Sequence, residues 1–224
     1  MIGAVILAAG QSHRMGCNKM LLPLAASTVL ETVVTEVAAC VQVHDLVVVT
    51  GHQADQIAAL LSSYPVRCVF NSAYAQADML VSIQVGLRAL PAEATAALIV
   101  LGDQPRIQRA VIQRVTEQSP SFAKRAACAS HRKRRGGIDA QQPQAIIIPS
   151  YQLKRGHPIL IDRALWPEVL ALSETTTLRD FIRAHEAQIR YVVVETDSVL
   201  KDLDTPEDYA EMWHRRERQT HDDR

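Results

Sequence analysis

The sequence predicts an α/β fold with a Rossmann-like, doubly wound and mostly parallel β-sheet and a small antiparallel excursion. Short apolar, β-branched runs alternate with segments whose apolar residues recur at three- and four-residue intervals, starting at the first residues of the chain. The runs are apolar throughout, which is typical of parallel strands covered on both faces. Ligands of such sheets bind at the carboxyl ends of the strands, so functional side chains are expected there.

The first half of the chain supplies most of the predicted parallel sheet. Strands are expected at four apolar runs, which are Ala4–Leu7, Leu46–Thr50, Val66–Phe70 and Leu98–Leu101. Helices are expected between them, where the apolar residues have helical spacing, at Thr28–Cys40, Ala54–Ser63 and Leu80–Leu90. This alternation of strands and helices is typical of a doubly wound sheet.

The pattern changes after Gln118. Strands are expected at Arg125–Ser130 and Ala145–Ile148, and a basic stretch at 131–137 lies between them. That stretch is either a solvated hairpin tip or a phosphate-attracting flap over a site. We favour the first interpretation, because short basic runs are usually exposed.

The C-terminal part is predicted to end in a helix with a defined start. A helix is expected from Leu178 to about Ala187, followed by a strand at Tyr191–Val194. In the string DTPEDY, Thr205 is the expected N-cap, Pro206 falls in the first turn and Asp208 completes a capping box.

Length and charge set broad limits on function. The chain has 224 residues, which suits a single domain spanning 1–224, with residues 215–224 expected to fray as a polar tail. Lys plus Arg and Asp plus Glu are both 24, so no global attraction to nucleic acid or to a membrane surface is expected.

Cysteine usage and hydropathy indicate a cytoplasmic protein. The four cysteines are scattered without metal-ligand spacing, which favours reduced thiols. The N-terminus lacks the basic and continuous apolar segments of a signal peptide. No segment approaches the ~20 apolar residues that a membrane span requires.

The segment 7–19, LAAGQSHRMGCNK, is the strongest functional signal. An apolar strand enters a small-residue turn, where glycine lets backbone N–H groups approach a polyanion closely. Arg14 and Lys19 would add charge and directional donors to phosphates. The alternative is a tight strand-to-helix turn with two exposed bases. The spacing is neither GxxxxGK[ST] nor GxGxxG.

Carboxylates follow in two further strings, GDQP and DLDTPEDY. Asp103 comes directly after an apolar run, which favours a position in the ligand crevice, although it can also be a helix N-cap or turn residue. Asp202 and Asp204 alternate on an extended segment, so either can ligate a metal, and Asp204 also suits the start of the last helix. One or two carboxylates plus substrate phosphates commonly hold Mg²⁺.

Together these strings resemble the MobA-like NTP transferase family, and most closely its molybdenum cofactor cytidylyltransferase branch. The matching strings are LAAGQSHRMGCNKMLLPL, GDQP, RGHPILI at 155–161 and DLDTPEDY, in the family's order. The resemblance implies the nucleotide-diphospho-sugar transferase type of fold. It also implies transfer of CMP from CTP to the phosphate of molybdopterin or molybdenum cofactor, with release of pyrophosphate. A recipient molybdoenzyme or its chaperone is a further implied partner.

The resemblance also implies residue roles. Arg14, Lys19 and Asp103 would be catalytic, and Asp103 and Asp204 would hold Mg²⁺. Nucleotide-binding positions would be Leu7, Ala8, Ala9, Gly10, Ser12, Arg14, Lys19, Ser82 and Asp103. Acceptor-binding positions would be Gly156, His157 and Pro158. Ala9 favours cytidylyl transfer, since guanylyl-transferring relatives usually have LAGG at this point.

The sequence departs from the family pattern near position 79. The family usually has Gly-Met followed by consecutive serines, whereas this chain has Asp78-Met79-Leu80-Val81-Ser82. Asp78 would either disturb base recognition or cap the helix.

Other functions stay open. One is a cytidylyl- or guanylyltransferase of the same fold acting on another small phosphorylated acceptor. Another is a nucleotide-binding module that delivers cofactor to an apoenzyme. A dinucleotide-dependent oxidoreductase is disfavoured by the absence of GxGxxG.

Overall fold

The computed structural model describes residues 1–76, 78–120, 145–173 and 175–213. Its strands are β1 Ile2–Ala8, β2 Pro23–Leu24, β3 Ser27–Thr28, β4 Val43–Thr50, β5 Arg67–Phe70, β6 Ala96–Leu101, β7 Ile146–Tyr151, β8 Lys154–Arg155, β9 Ile159–Asp162 and β10 Ile189–Val193. Its helices are α1 Val29–Ala38, α2 Ala54–Leu60, α3 Met79–Ala89, α4 Arg109–Glu117, α5 Trp166–Ala171 and α6 Leu178–Ala184, and residues 206–213 are also helical.

The main sheet has the strand order β10-β7-β9-β6-β1-β4-β5, with β8 paired to β7. The half formed by β6, β1, β4 and β5 is parallel. In the other half, β9 runs antiparallel to both of its neighbours, while β10 is parallel to β7. This architecture confirms the predicted mostly parallel sheet with an antiparallel excursion.

Two apolar clusters cover the two faces of the sheet. Strand β1 directs Ala4 and Ile6 into one cluster and Val5 and Leu7 into the other. The first cluster includes residues of α1, α2 and α4, and the second includes residues of α3, α5 and α6. Because both faces of β1 are buried, its sequence is apolar without alternation.

The predicted capping box of the last helix is present. The Thr205 backbone N–H donates to Asp208 Oδ2 at 2.8 Å, and the Asp208 N–H donates to Thr205 Oγ1 at 3.2 Å. A second capping box starts α1, where Thr28 and Glu31 exchange the same pair of bonds. These caps satisfy backbone donors that a helix start otherwise leaves unpaired.

Some predicted elements differ from the structure. The helix expected to reach Ala187 ends at Ala184 and is followed by a 3₁₀ turn at Glu186–Gln188. The antiparallel strand β9 was not anticipated. The expected strand Arg125–Ser130, the basic stretch 131–137 and the tail 215–224 lie outside the described residues. Within the described part of the chain, every helix is too short or too polar to cross a bilayer.

Candidate active site

The loop after β1 folds back on itself through two left-handed residues. Ser12 has φ 54° and Gly16 has φ 67°, a region that glycine adopts without strain. Ser12 Oγ accepts a hydrogen bond from the Lys19 backbone N–H at 3.3 Å, which closes the loop. The Asn18 side chain caps the short 3₁₀ turn Lys19–Leu21. This arrangement sets the position of the Lys19 side chain.

Lys19 lies between two carboxylates. Its Nζ is 2.5 Å from Asp103 Oδ2 and 2.9 Å from Asp204 Oδ1. The other oxygen of Asp204 is 2.9 Å from Arg14 Nη2. The side chains of Lys19 and Asp103 are only 12% and 16% exposed, whereas that of Arg14 is 71% exposed. The structure therefore brings together the two cations and the two carboxylates that the sequence singled out.

The carboxylates are held by contacts between distant parts of the chain. Asp103 follows β6 directly, and its carbonyl oxygen accepts a hydrogen bond from the Leu203 N–H at 2.9 Å. Gln104 Nε2 donates to Asp202 Oδ1 at 2.5 Å. Asp202 and Asp204 line the same cavity, as expected for alternate residues of an extended segment.

The charges of the cluster depend on burial and on one another. Burial raises the pKa of Asp103, and the neighbouring Lys19 opposes that rise. The hydrogen bond from Lys19 lowers the pKa of Asp204, although partial burial acts in the other direction. Burial lowers the pKa of Lys19, but Asp103 and Asp204 outweigh this effect and raise it overall. Lys19 is therefore cationic at neutral pH.

A cavity of about 480 Å³, here called the donor cavity, opens above this cluster. It is lined by Leu7, Ala9, Gly10, Ser12, His13, Arg14, Lys19, Met20, Tyr74, Asp78, Met79, Ser82, Leu101, Asp103, Asp202 and Asp204. Every sequence-predicted residue of the nucleotide and metal sites is among them except Ala8. Ala8 is fully buried within β1 and does not line the cavity.

Gly10 leaves space for a ligand to approach the backbone of the loop closely. A Cβ at Gly10 would meet no protein atom within 4 Å, so packing inside the protein does not require glycine here. The residue lines the donor cavity, and a methyl group would project into open space. Glycine at such a place suits direct contact between the backbone and a bound group.

The wall formed by α3 and the turn before it contains one residue that the sequence identified and others that it missed. Ser82 Oγ accepts a hydrogen bond from Asn71 Nδ2 at 3.0 Å, which fixes the buried hydroxyl. Tyr74 also lines the donor cavity. Asn71 and Tyr74 lie in the turn between β5 and α3, and no motif in the sequence marks them.

Asp78 does not cap α3 with its side chain. It occupies the N-cap position, but its carboxylate makes no capping hydrogen bond. Instead it lines the donor cavity and also the neighbouring second cavity, as does Met79. Of the two interpretations of Asp78, capping through the side chain is thus wrong.

The carboxylate pair can contribute to a metal site but cannot complete one. Within the described residues, no group of three or more His, Cys, Asp and Glu side chains is arranged to hold a metal. Asp103 and Asp204 share one lysine, so their oxygens converge on a small region. This geometry fits Mg²⁺ held jointly by one or two carboxylates and by substrate phosphates.

The second cavity, here called the acceptor cavity, has a volume of about 430 Å³. It is lined by Asp78, Met79, Ile148, Arg155, Gly156, His157, Ile159, Thr177, Leu178, Arg179 and Ile182. Gly156 and His157, two of the three residues predicted to bind the acceptor, line this cavity. Pro158 is buried and does not line the cavity. Arg155 and Arg179 were not predicted as site residues.

His157 is neutral and has an unpaired nitrogen. Its Nε2 is buried and has no hydrogen-bond partner among the described residues. Burial lowers the pKa of His157 from 6.5 to about 4, although Asp103 acts in the opposite direction. A buried nitrogen without a partner is costly unless a ligand or water satisfies it.

Gly156 positions His157 against the segment after β10. A Cβ at Gly156 would collide with the carbonyl oxygen of Val199, so only glycine allows this close approach. The His157 N–H donates to the same carbonyl at 3.0 Å, and the Gly156 N–H donates to Pro149 at 2.9 Å. These contacts hold the imidazole at the cavity.

Comparison with known proteins places this geometry in context. A family model described as the MobA-like NTP transferase domain matches residues 4–189. Nicotine blue oxidoreductase of Paenarthrobacter nicotinovorans is 28% identical over 215 residues, covering 92% of this chain and 93% of that protein. The molybdenum cofactor cytidylyltransferase of Escherichia coli K12 is 23% identical over 209 residues, covering 93% of each chain.

Solved structures have the same fold. A nucleotidyl transferase from Methanothermobacter superposes with a TM-score of 0.76 at 24% identity, covering 98% of this chain and 99% of that one. A Mycobacterium tuberculosis protein in complex with manganese gives 0.73 at 23% identity, covering 95% and 97%. The 4-diphosphocytidyl-2C-methyl-D-erythritol synthase of Anaerococcus prevotii gives 0.67 at 17% identity, covering 97% and 96%. These matches confirm the nucleotide-diphospho-sugar transferase fold.

Proposed function

This chain belongs to the MobA-like NTP transferase family, and from that premise we propose that it transfers CMP from CTP to the phosphate of molybdopterin or molybdenum cofactor. Pyrophosphate is the second product. The observation that carries the proposal is the Lys19 ammonium held between Asp103 and Asp204 at the base of the donor cavity. The family gives the class of reaction, and the finer substrate assignment is the proposal.

In this proposal the loop after β1 binds the triphosphate. Lys19 and Arg14 supply positive charge, and the backbone around Gly10 and Ser12 supplies N–H donors. Lys19 is the stronger contributor, because its ammonium is buried and a charge interaction is screened less there than at a surface. Arg14 is mostly exposed and can move toward a phosphate.

Asp103 and Asp204 would hold Mg²⁺ together with the phosphates of CTP. The ion would supply charge stabilisation to the departing pyrophosphate. Lys19 lies between the same two carboxylates and would add its positive charge to that of the ion. The manganese complex of the Mycobacterium tuberculosis relative supports a divalent ion in this fold.

The acceptor phosphate would enter from the acceptor cavity. A phosphate oxygen attacks the α-phosphorus of CTP, the new P–O bond forms, and the bond to the β-phosphate oxygen breaks with pyrophosphate leaving. A phosphate monoester has its second pKa at about 6 and is already largely dianionic at pH 7, so no general base is required. Positioning and electrostatic stabilisation carry such a reaction.

Gly156 and His157 would orient the acceptor. The unpaired His157 Nε2 would bond the acceptor, and since the imidazole is neutral it would orient the acceptor rather than neutralise its charge. Asp78 and Met79 line both cavities, which supports adjacent binding of donor and acceptor. The α3 wall with Ser82 and Tyr74 would meet the ribose and base of CTP.

The choice of CTP rests on Ala9 and on similarity to cytidylyltransferases. Ala9 lines the donor cavity, where a guanylyl-transferring relative usually has glycine. The Escherichia coli relative is named as a molybdenum cofactor cytidylyltransferase. These observations support cytosine over guanine.

The test is pyrophosphate release with molybdopterin or its molybdenum-loaded form, Mg²⁺, and CTP, GTP, ATP or UTP in separate reactions. A strong preference for CTP is expected. Turnover with GTP instead would contradict the interpretation of Ala9 while retaining the donor site. Omission of Mg²⁺ is the matched control and should abolish pyrophosphate release.

The same experiment should also test other acceptors and other functions, for two reasons. The family match leaves the acceptor open, so sugar phosphates and alcohol phosphates belong in the acceptor panel. Nucleotide binding without pyrophosphate from any acceptor would favour a cofactor-delivery module. The oxidoreductase relative is 28% identical, so NADH consumption with a dye substrate should be measured alongside. We expect none, because the sequence lacks GxGxxG.

A further inference from the structure

We propose that Arg179 is a specificity-determining residue that binds an anionic group of the acceptor in the acceptor cavity. This inference rests on the proposed transfer to a phosphorylated acceptor and extends it to a residue outside every motif. The inference predicts that the preferred acceptor carries an anionic group together with a large apolar surface. The argument comes from the charges and partners of the side chains that line the cavity.

Two guanidinium groups line the acceptor cavity, and they differ in their partners. Arg155 Nη2 lies 3.1 Å from Glu186 Oε1, and its guanidinium stacks 5.4 Å from the centre of the Tyr191 ring. Arg179 forms no hydrogen bond and no ion pair with any described side chain. Its positive charge lowers the pKa of the adjacent Asp180 slightly, but the two side chains are not in contact as an ion pair. Arg179 is therefore the cation of the cavity with capacity for a ligand.

The remaining polar groups of the cavity increase the need for that cation. Asp78 brings a negative charge to the boundary with the donor cavity. His157 offers a buried, unpaired Nε2 but no charge at neutral pH. Without Arg179, an anionic acceptor bound here would meet the negative charge of Asp78 with only Arg155, which is already paired with Glu186, to offset it. A guanidinium is well suited to bind phosphate and other oxyanions through parallel N–H bonds.

Apart from Thr177, whose hydroxyl belongs to the capping box of α6, the rest of the lining is apolar. Ile148 and Ile159 lie on neighbouring strands β7 and β9, and Leu178 and Ile182 lie on α6. Arg179 lines the same cavity as these apolar side chains, which places the cation at the edge of the apolar wall. A flat or branched apolar body would bury surface against these side chains while its anionic group reaches the guanidinium.

The experiment compares Arg179→Ala with Arg183→Ala, and Arg179→Lys measures rescue by charge alone. Arg183 lies one turn further along α6, is also exposed, and also acts on Asp180, but it does not line the cavity. Binding of molybdopterin and of its dephosphorylated form is measured by anaerobic calorimetry. KM values for molybdopterin and for CTP are measured by pyrophosphate release.

Arg179→Ala is expected to weaken molybdopterin binding by about 10- to 100-fold, the size of one charge-assisted hydrogen bond. The KM for CTP should stay within about twofold, Arg183→Ala should match the wild type, and Arg179→Lys should recover part of the affinity. Weakened binding of the phosphorylated form alone assigns Arg179 to the phosphate. Weakened binding of both forms assigns it to another anionic part of the acceptor.

Equal molybdopterin affinity in Arg179→Ala and Arg183→Ala would overturn the inference, as would absence of binding to the wild type. Failure of the proposed function has a different signature. In that case the wild type binds molybdopterin, Arg179→Ala weakens the binding, and no pyrophosphate forms with any NTP.

Discussion

The donor and acceptor cavities have similar volumes but opposite charge arrangements. In the donor cavity each cation already contacts a carboxylate, as Lys19 contacts Asp103 and Asp204 and Arg14 contacts Asp204. In the acceptor cavity Arg155 is paired with Glu186, whereas His157 Nε2 and the Arg179 guanidinium have no hydrogen-bond or ion-pair partner among the described side chains. The donor cavity lies at the carboxyl ends of the parallel strands β1 and β6, and the acceptor cavity adjoins the antiparallel half of the sheet.

This contrast suits a domain that binds two different anions, a nucleoside triphosphate and a phosphorylated acceptor, in adjacent cavities. Under the proposed function, the paired charges would keep the donor cavity ordered before a nucleotide binds, and the phosphates and the metal would then replace existing partners. The acceptor cavity would favour a ligand that brings both polar partners and apolar surface. The proposal thus assigns the chemistry to the donor cavity and acceptor selection to the acceptor cavity.

The largest expected effect comes from removing a charge of the donor cavity. Lys19→Ala and Asp103→Asn should each lower kcat/KM for pyrophosphate release by about 10²–10³-fold or more. Lys19→Ala should also destabilise the fold, because Asp103 stays buried without its cation. Arg67→Ala, which breaks an ion pair remote from both cavities, is the control. Near-normal turnover in either donor-cavity variant would refute the site assignment.

The next largest effect is expected on the pH dependence of stability, through His157 in the acceptor cavity. The pKa of His157 is about 4 in the folded chain, whereas a solvated imidazole, as in the unfolded chain, has a pKa of 6.5. Above pH 6.5 the His157 imidazole is neutral in both the folded and the unfolded chain. As the pH falls toward 4, the imidazole of the unfolded chain binds a proton first, and the free energy of unfolding decreases. The wild type should lose up to about 3 kcal/mol more than His157→Gln over this range. The free energy of unfolding is measured by urea titration at each pH. An equal loss in the wild type and in His157→Gln as the pH falls would contradict the prediction.

Two glycines sharpen the contrast further. Gly156→Ala should lower the free energy of unfolding by about 1–3 kcal/mol, because the new Cβ overlaps Val199. Gly10→Ala meets no protein atom and should change stability by less than about 0.5 kcal/mol. Instead it should raise the KM for CTP. Denaturant titration and kinetics on both variants test the pair, and an equal loss of stability would break the distinction.

The smallest effect is expected at the boundary between the cavities. Asp78→Ala should change the free energy of unfolding by less than about 0.5 kcal/mol, because the carboxylate makes no capping bond. Thr28→Ala removes a capping box and should lower it by about 1 kcal/mol. Thermal unfolding measures both, and a loss in Asp78→Ala as large as that in Thr28→Ala would show a structural role.

The sequence predicted the donor cavity far better than the acceptor cavity. Residues 7–19 form one loop, so their order in the chain already places Gly10, Arg14 and Lys19 near one another. Arg179 reaches its cavity through the docking of α6, which no local pattern reveals. Tyr74 and Asn71 lie in an irregular turn without a motif.

The fold was similarly uneven in its predictability. The fully buried strands β1 and β6, and the buried second part of β4 from Leu46 to Thr50, were evident from continuous apolar runs. Strand β9 has only four residues, and its reversed direction depends on pairing with β6 and β7 rather than on its composition. Local patterns carry no information on such pairings.

The hydrogen bond from the Leu203 N–H to the Asp103 carbonyl brings a late segment of the chain to the site, so the site depends on synthesis of the chain beyond this point. Every strand of the described sheet ends by Val193, yet Asp204 contacts a lysine 185 positions earlier in the chain. All strands of the described sheet therefore lie in a part of the chain that does not include Asp204, one of the two carboxylates proposed to hold Mg²⁺. A protein terminated at residue 200 would retain the framework and the loop around Gly10 but lack a carboxylate of the centre. Such a fragment should bind nucleotide weakly and transfer nothing, so premature termination yields an inert product rather than an unregulated one.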